Sequence, residues 1–216
     1  MASRNLAETL TDRLLTLLLI SESQKQGYRV TGKVKFLKLI YLSESKMIKD
    51  VLKGFDYYFY RWDYGPMSND ALKDLDWLSE NDLLEKSRNG IFITSRGREL
   101  LKSSSSLLKL NEDFLEYIRK VVREFGPYTG KKIKTVVYGT PKMGDRKLIS
   151  KTEHGEELLR KLPAKEAEKR FRIDDEWLET LSILMDKTTS DSLRKGIEDA
   201  KKGKVRKYEP LKVVFS

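Results

Sequence analysis

A mainly helical fold with a small β component (mainly α, of the α+β kind) is what this sequence predicts. Three observations predict it. Leucines recur at steps of three and four through the first 25 residues, apolar residues repeat at helical spacing in several later segments, and short apolar runs flank an Asn-Gly turn near residue 90. A chain of 216 residues is long enough to bury a sizeable core.

Residues 5–25 read as a helix because Leu6, Leu10, Leu14, Leu17 and Leu18 share one stripe, and Gly27-Tyr28 end it. Thr31 is the expected N-cap of a second helix, whose Val34, Leu37, Ile40 and Tyr41 line up while Lys33, Lys35, Lys38 and Lys46 point mostly elsewhere. Residues 55–62 put six aromatics into eight positions, a composition suited to a half-buried pleated surface, so the segment reads as extended. Phe55, Tyr57, Phe59 and Trp62 are expected in the core, with Tyr58 and Tyr60 facing outward. Gly65-Pro66 stops the strand, and Ser68 caps a helix running to about Asn81, with Leu72, Leu75 and Leu78 on one face. Leu83-Leu84 and Ile91–Ile93 then flank a turn ending in Asn89-Gly90, a hairpin signal. A helix follows over about Ser95–Lys102.

Helix, helix, extended segment, helix and hairpin is the order of a winged-helix-like helical domain with a small β-hairpin, assigned to residues 1–102. The serines at 103–106 are read as a boundary. A helical extension over 107–170 comprises one amphipathic helix with Leu110, Phe114, Tyr117, Ile118 and Val121 on its apolar face, a short helix near Lys131–Tyr138, and a charged helix over 153–170 broken at Pro163. Residues 174–216 are expected to form a C-terminal arm. Asp174 or Asp175 caps a helix carrying Trp177, Leu178 and Leu181, a sparse charged helix carries Leu193 and Ile197, and a strand is expected in "YEPLKVVFS".

The charge balance is +10 from 43 Lys and Arg against 33 Asp and Glu, which favours acidic partners. It is concentrated in two stretches, a net of +5 over Tyr28–Lys53 and +6 over Thr129–Lys151. If DNA is bound, Lys33, Lys35, Lys38, Lys131, Lys132 and Lys134 are the expected phosphate contacts. The helix placed third by order, which would read the major groove, argues against duplex recognition because it holds Asp70, Asp74, Asp76 and Glu80 against Lys73 alone.

Several chemistries find no support. There are no cysteines, so thiolate catalysis and Cys-ligated zinc are excluded. The one histidine, His154, reads as a surface residue. Glu44-Ser45-Lys46 matches a fragment of a nuclease pattern but falls mid-helix, where it reads as a solvated pair, and Asp174-Asp175-Glu176 is explained by capping and the helix dipole. No Gly-Lys-Ser/Thr phosphate loop is present. No enzyme and no cofactor are expected. The apolar run Leu14–Ile20 is seven residues, far below the roughly 20 that span a bilayer, so no membrane partner and a cytoplasmic location are expected.

Residues 34–100 also carry a resemblance. "KFLKLIYLSE", "YYFYRWDYGPMSNDALKDLDWL" and "ITSRGREL", with Lys38-Leu39-Ile40-Tyr41-Leu42 and Tyr64-Gly65-Pro66-Met67-Ser68 as the shared elements, resemble the Panacea (SocA-like) domain associated with antitoxins and related winged-helix-like proteins. The strong part covers about a third of the chain, with a weaker continuation through Lys134–Pro141. A looser similarity to antitoxin C-terminal arms lies in Asp199–Gly203. The resemblance implies toxin neutralisation or an adaptor role by protein contact and carries no catalytic residues. The expected function is therefore a non-enzymatic antitoxin-like protein-binding module, a role compatible with autoregulation in the manner of antitoxins that repress their own operons. A winged-helix DNA-binding transcriptional regulator is the alternative. Tyr58, Tyr60, Trp177, Leu181, Leu193 and Ile197 are the expected contacts to a toxin-like protein, DNA is a second partner, and a dimer is compatible with either role.

Overall fold

The computed structural model describes residues 4–204, and the expected strand in the last residues lies outside them. The fold is mainly α with small sheets. Helix α1 (Leu6–Lys25) starts at a complete capping box, in which Asn5 Oδ1 accepts from the Glu8 amide at 2.9 Å and the Asn5 amide donates to Glu8 Oε2 at 3.0 Å. Leu14, Leu15, Leu17, Leu19 and Ile20 are all fully buried, so α1 is the central helix rather than an amphipathic surface one.

Val30 forms an antiparallel bridge to Ile91 before α2 (Gly32–Lys49) begins. Three short strands follow, β1 (Leu52–Lys53), β2 (Phe59–Trp62) and β3 (Gly65–Met67). Helix α3 (Asn69–Glu80) is capped by Ser68, whose Oγ accepts from the Ala71 amide at 3.3 Å. The hairpin β4 (Leu84–Ser87) and β5 (Gly90–Ile93) closes through Arg88-Asn89, with Ser87 paired to Gly90. Because Val30 bridges to β5, α1, Val30, α2, α3 and the hairpin follow the winged-helix order, and the aromatic stretch is an insertion between α2 and α3. It makes its own antiparallel sheet in the order β3-β2-β6, where β6 is Glu157–Leu159.

Beyond the hairpin come α4 (Ser95–Ser103), α5 (Ser105–Leu110), α6 (Glu112–Phe125), α7 (Gly130–Tyr138), β7 (Lys169–Arg170), α8 (Asp175–Met185) and α9 (Lys187–Lys201). The serines at 103–106 are not a linker. Ser104 is fully buried between α4 and α5, α6 packs on both α1 and α2, and one hydrophobic cluster runs from Leu10 to Met185.

Three other expectations are corrected. Residues 107–125 form two helices because buried Asn111 spends its amide on a neighbouring segment, donating to Leu107 O and Arg172 O and accepting from the Arg172 amide. Residues 153–170 form no long helix. Tertiary pairing overrides local helix preference there, since β6 pairs with β2, β7 pairs in parallel with β1, and Leu158 and Leu159 enter the core. In β2 the strict alternation of a strand puts Phe59 and Arg61 inward and Tyr60 and Trp62 outward, so Trp62 is 47% exposed rather than buried.

A polar network crosses the core. One Arg4 nitrogen reaches both Asp12 and Asp74 at 2.6 Å, Arg13 reaches Asp74 at 2.9 Å and lies over the Trp77 ring, and the Tyr57 hydroxyl donates to Asp74 at 3.1 Å. Asp74, one of the acids that argued against α3 as a recognition helix, is thus a buried tie between α3 and α1.

Candidate functional site

The six lysines expected to meet phosphates fall into an exposed group and a buried group, with Lys134 half-buried between them. Lys33, Lys131 and Lys132 are exposed. Lys35 and Lys38 are buried, because α2 is enclosed by α1, α3, α6 and α7 rather than lying on the surface, and this corrects their assignment as DNA contacts. The Lys35 ammonium donates to Gly126 O at 2.6 Å and Arg29 O at 2.7 Å, so it closes the C-terminal end of α6, where the helix dipole favours a cation. Burial holds its pKa below the ordinary lysine value.

Lys38 turns to the strand side. Its Nζ donates to Pro66 O at 2.8 Å and so pins the Tyr64-Gly65-Pro66 turn to α2. Gly65 has φ +91°, and a Cβ there would lie 3.7 Å from Lys38 Nζ and 3.8 Å from the Tyr138 ring, so the turn needs glycine chiefly for its backbone conformation. Arg61 enters the same region from β2. Its Nε donates to Ile149 O at 3.2 Å, its guanidinium lies 4.8 Å from the centre of the Tyr138 ring, and its Nη1 is buried without a partner. Half-buried Lys134 places its ammonium 4.9 Å from the Tyr64 ring centre and 5.3 Å from that of Tyr138. Among the described residues no carboxylate forms an ion pair with Lys38, Arg61 or Lys134. Burial first, then the fields of Arg61 and Lys134, push the Lys38 pKa down to about 7.

Arg61 is the residue of this group to which sequence reading assigned no site. Counting alternate positions from Phe59 would have found it, since the strand period that buries Phe59 also buries Arg61.

The aromatic row is divided as well. Tyr58 and Tyr60 are half-buried and stack at 6.0 Å, with the Tyr60 hydroxyl donating to Asn69 at 3.2 Å, while Trp62 and Tyr64 are exposed. His154 lies on the surface against Trp62. Glu44 is not a solvated partner of Lys46. It is 1% exposed with both carboxylate oxygens unpartnered, and burial followed by Asp12 and Asp56 raises its pKa well above the usual carboxylate value. Lys46 instead pairs with Glu124 at 2.5 Å.

In the C-terminal arm, α8 is part of the body. Leu181 and Met185 are fully buried, Trp177 is half-buried against the core, and Leu181 is therefore corrected from contact residue to core residue. No residue of α9 is buried, and Leu193 and Ile197 are 50% and 48% exposed. The elbow between the two helices is fixed by Arg96, which donates to Leu184 O at 2.8 Å, Asn81 O at 3.1 Å and Ser190 Oγ at 3.3 Å. Lys187 adds an ion pair to Asp82, and its amide donates to Asn81 Oδ1 at 2.9 Å.

A groove of about 870 Å³ runs between the start of α1 and the Lys169–Asp174 segment, and Glu8, Lys53, Asp56, Asp113, Arg170 and Asp174 give it a mixed charge. Among the described residues no cluster of acids and histidine could hold a metal ion, and no helix is long and apolar enough to cross a membrane. No family model, curated protein or solved structure matches the chain.

Proposed function

We propose that this chain is a non-enzymatic, antitoxin-like protein-binding module and that α9 is the element that grips the partner. The observation that carries this reading is that α9 gives nothing to the core while Leu193 and Ile197, four residues apart on one face, stand in solvent. A helix held at its base and apolar along one stripe suits docking into a groove, where residues at i and i+4 act as anchors. The Arg96 clamp presets its direction and so lowers the ordering cost of binding. The resemblance of residues 34–100 to the Panacea domain and the Asp199–Gly203 pattern support the same role.

The test is affinity capture from the native organism with the full chain against a Leu193→Asp/Ile197→Asp double variant. A single stoichiometric partner retained by the first and lost by the second, with unchanged thermal unfolding, is the expected result. A partner held equally by both, or none held by either, overturns the reading. Removing everything after residue 173 would be a poorer test, since it strips Leu181 and Met185 from the core.

A second reading, a DNA-binding regulator, is favoured by exposed Lys33, Lys131 and Lys132, for which no ion pair is formed among the described residues. It requires duplex affinity whose log–log salt slope is about −0.9 per neutralised phosphate. A flat salt response would remove it.

A further inference from the structure

The Tyr64-Gly65-Pro66 turn brings together three cations from three elements, Lys38 of α2, Arg61 of β2 and Lys134 of α7, around the Tyr138 ring. Like charges in one partly dry place repel, and a buried guanidinium without a carboxylate is costly. Ring contacts with Tyr138 and Tyr64 offset part of that cost, and carbonyls satisfy some donors. They leave others open. Lys38 Nζ has three N–H groups and a single acceptor, and Arg61 Nη1, on a residue 8% exposed, has none.

Lys38 also lines a small, mostly apolar pocket of about 210 Å³, whose wall includes Val34, Leu37, Trp62, Tyr64 and Leu72 together with the charged Lys33 and Asp63. Lys38 is shared between the cation group and this slot with its two exposed aromatics, and the excess of cations over the single Asp63 carboxylate matches an anion of more than one charge joined to a small planar or apolar group. A carboxylate would leave most of the surplus unbalanced, whereas a phosphate dianion offers several acceptor oxygens and two charges.

We infer that Lys38, Arg61 and Lys134 form a binding site for a phosphate dianion, with the Trp62–Tyr64 pocket receiving the small organic group of a phosphate monoester. The turn then acts as a scaffold, since Lys38 both holds Pro66 O and faces the pocket. A charge-neutralising ligand would also hold Lys38 protonated against the repulsion of Arg61 and Lys134. The site lies apart from α9, so its failure leaves the partner-helix reading standing, and the reverse is equally true.

Calorimetric titration of the full chain at low ionic strength tests this with AMP, inorganic phosphate and adenosine as probes. AMP is expected to bind, inorganic phosphate to bind about tenfold more weakly, and adenosine to give no heat. Equal binding of inorganic phosphate would keep the site and make the free anion its ligand. Half-buried Lys134 can be changed without opening the core, so Lys134→Gln is expected to weaken AMP about fivefold or more, while Lys132→Gln, whose ammonium lies over Tyr128 outside the site, changes it less than about twofold. Arg61→Lys keeps the charge but loses the fork geometry, and should also weaken AMP. The inference is overturned if neither phosphate probe binds, if adenosine binds as well as AMP, or if Lys132→Gln costs as much as Lys134→Gln. Duplex DNA that binds through Lys132 and Lys134 alike, with no AMP heat, assigns the cations to nucleic acid and likewise overturns it.

Discussion

Lys35 and Lys38 in α2 and Lys131 and Lys132 in α7 look alike in sequence, yet they meet opposite fates. The first pair is buried and spends its ammonium groups on backbone carbonyls, while the second pair stands in solvent. A lysine row on a helix is therefore not by itself a surface for an acidic partner. What separates the rows is how many neighbours enclose the helix, since α2 is packed by four other helices. The C-terminal arm repeats the contrast, with α8 docked through Leu181 and Met185 and α9 undocked.

The sharpest break of this comparison is Lys35→Met. It keeps the apolar stem but leaves Gly126 O and Arg29 O without their charged donor, and should cost about 4 kcal/mol in chemical denaturation, at about 1.5–3 kcal/mol per hydrogen bond to a charged group. A cost under about 1 kcal/mol would mean that the burial of Lys35 contributes little to the fold. In the arm, Leu181→Ala should cost about 3 kcal/mol as a core truncation, whereas Leu193→Ala and Ile197→Ala should each stay within about 0.5 kcal/mol.

A third test uses pH. The pKa of Lys38 is lowered when folded, to about 7 from the ordinary 10.5, so between those values the unfolded chain binds more protons. Stability should rise with pH across that window and be lost as pH falls through about 7, with a slope approaching about 1.4 kcal/mol per pH unit from this group. Lys38→Met should remove that slope, and Lys132→Met should not. Glu44 works in the opposite direction. Its raised pKa favours the protonated folded state, so its contribution is present at low pH and is lost as pH rises through its folded pKa, and Glu44→Gln should flatten that loss. The smallest effect is expected on the surface itself, where Lys131→Ala and Lys132→Ala should each change stability by less than about 0.5 kcal/mol.

Most helices were legible because their signals are local. The Ser68 cap, the Leu72, Leu75 and Leu78 stripe, the Gly90 hairpin and the Asp174 cap can each be read within about one or two turns of chain, and each stands where it was expected. The break at Asn111 was not legible, since its reason is a bond to Arg172, 61 residues away. Residues 153–170 misled for the same reason, because their partners are β1 and β2, far upstream. Of the candidate site, Lys134 and the Tyr-Gly-Pro turn were marked in sequence, but Arg61 was assigned to no site and Lys38 was placed on the wrong side of the surface.

Sequence alone determined the helical class, the hairpin, most of the helix starts and the two concentrations of positive charge, because periodicity, capping chemistry and net charge are properties of neighbouring residues. Only the tertiary structure decided which lysines are buried, that α8 belongs to the core and α9 does not, and that Lys38, Arg61 and Lys134 share one place. Burial and the meeting of distant charges depend on how elements pack, and residues 38, 61 and 134 approach one another only after α2, β2 and α7 have closed around the Tyr138 ring.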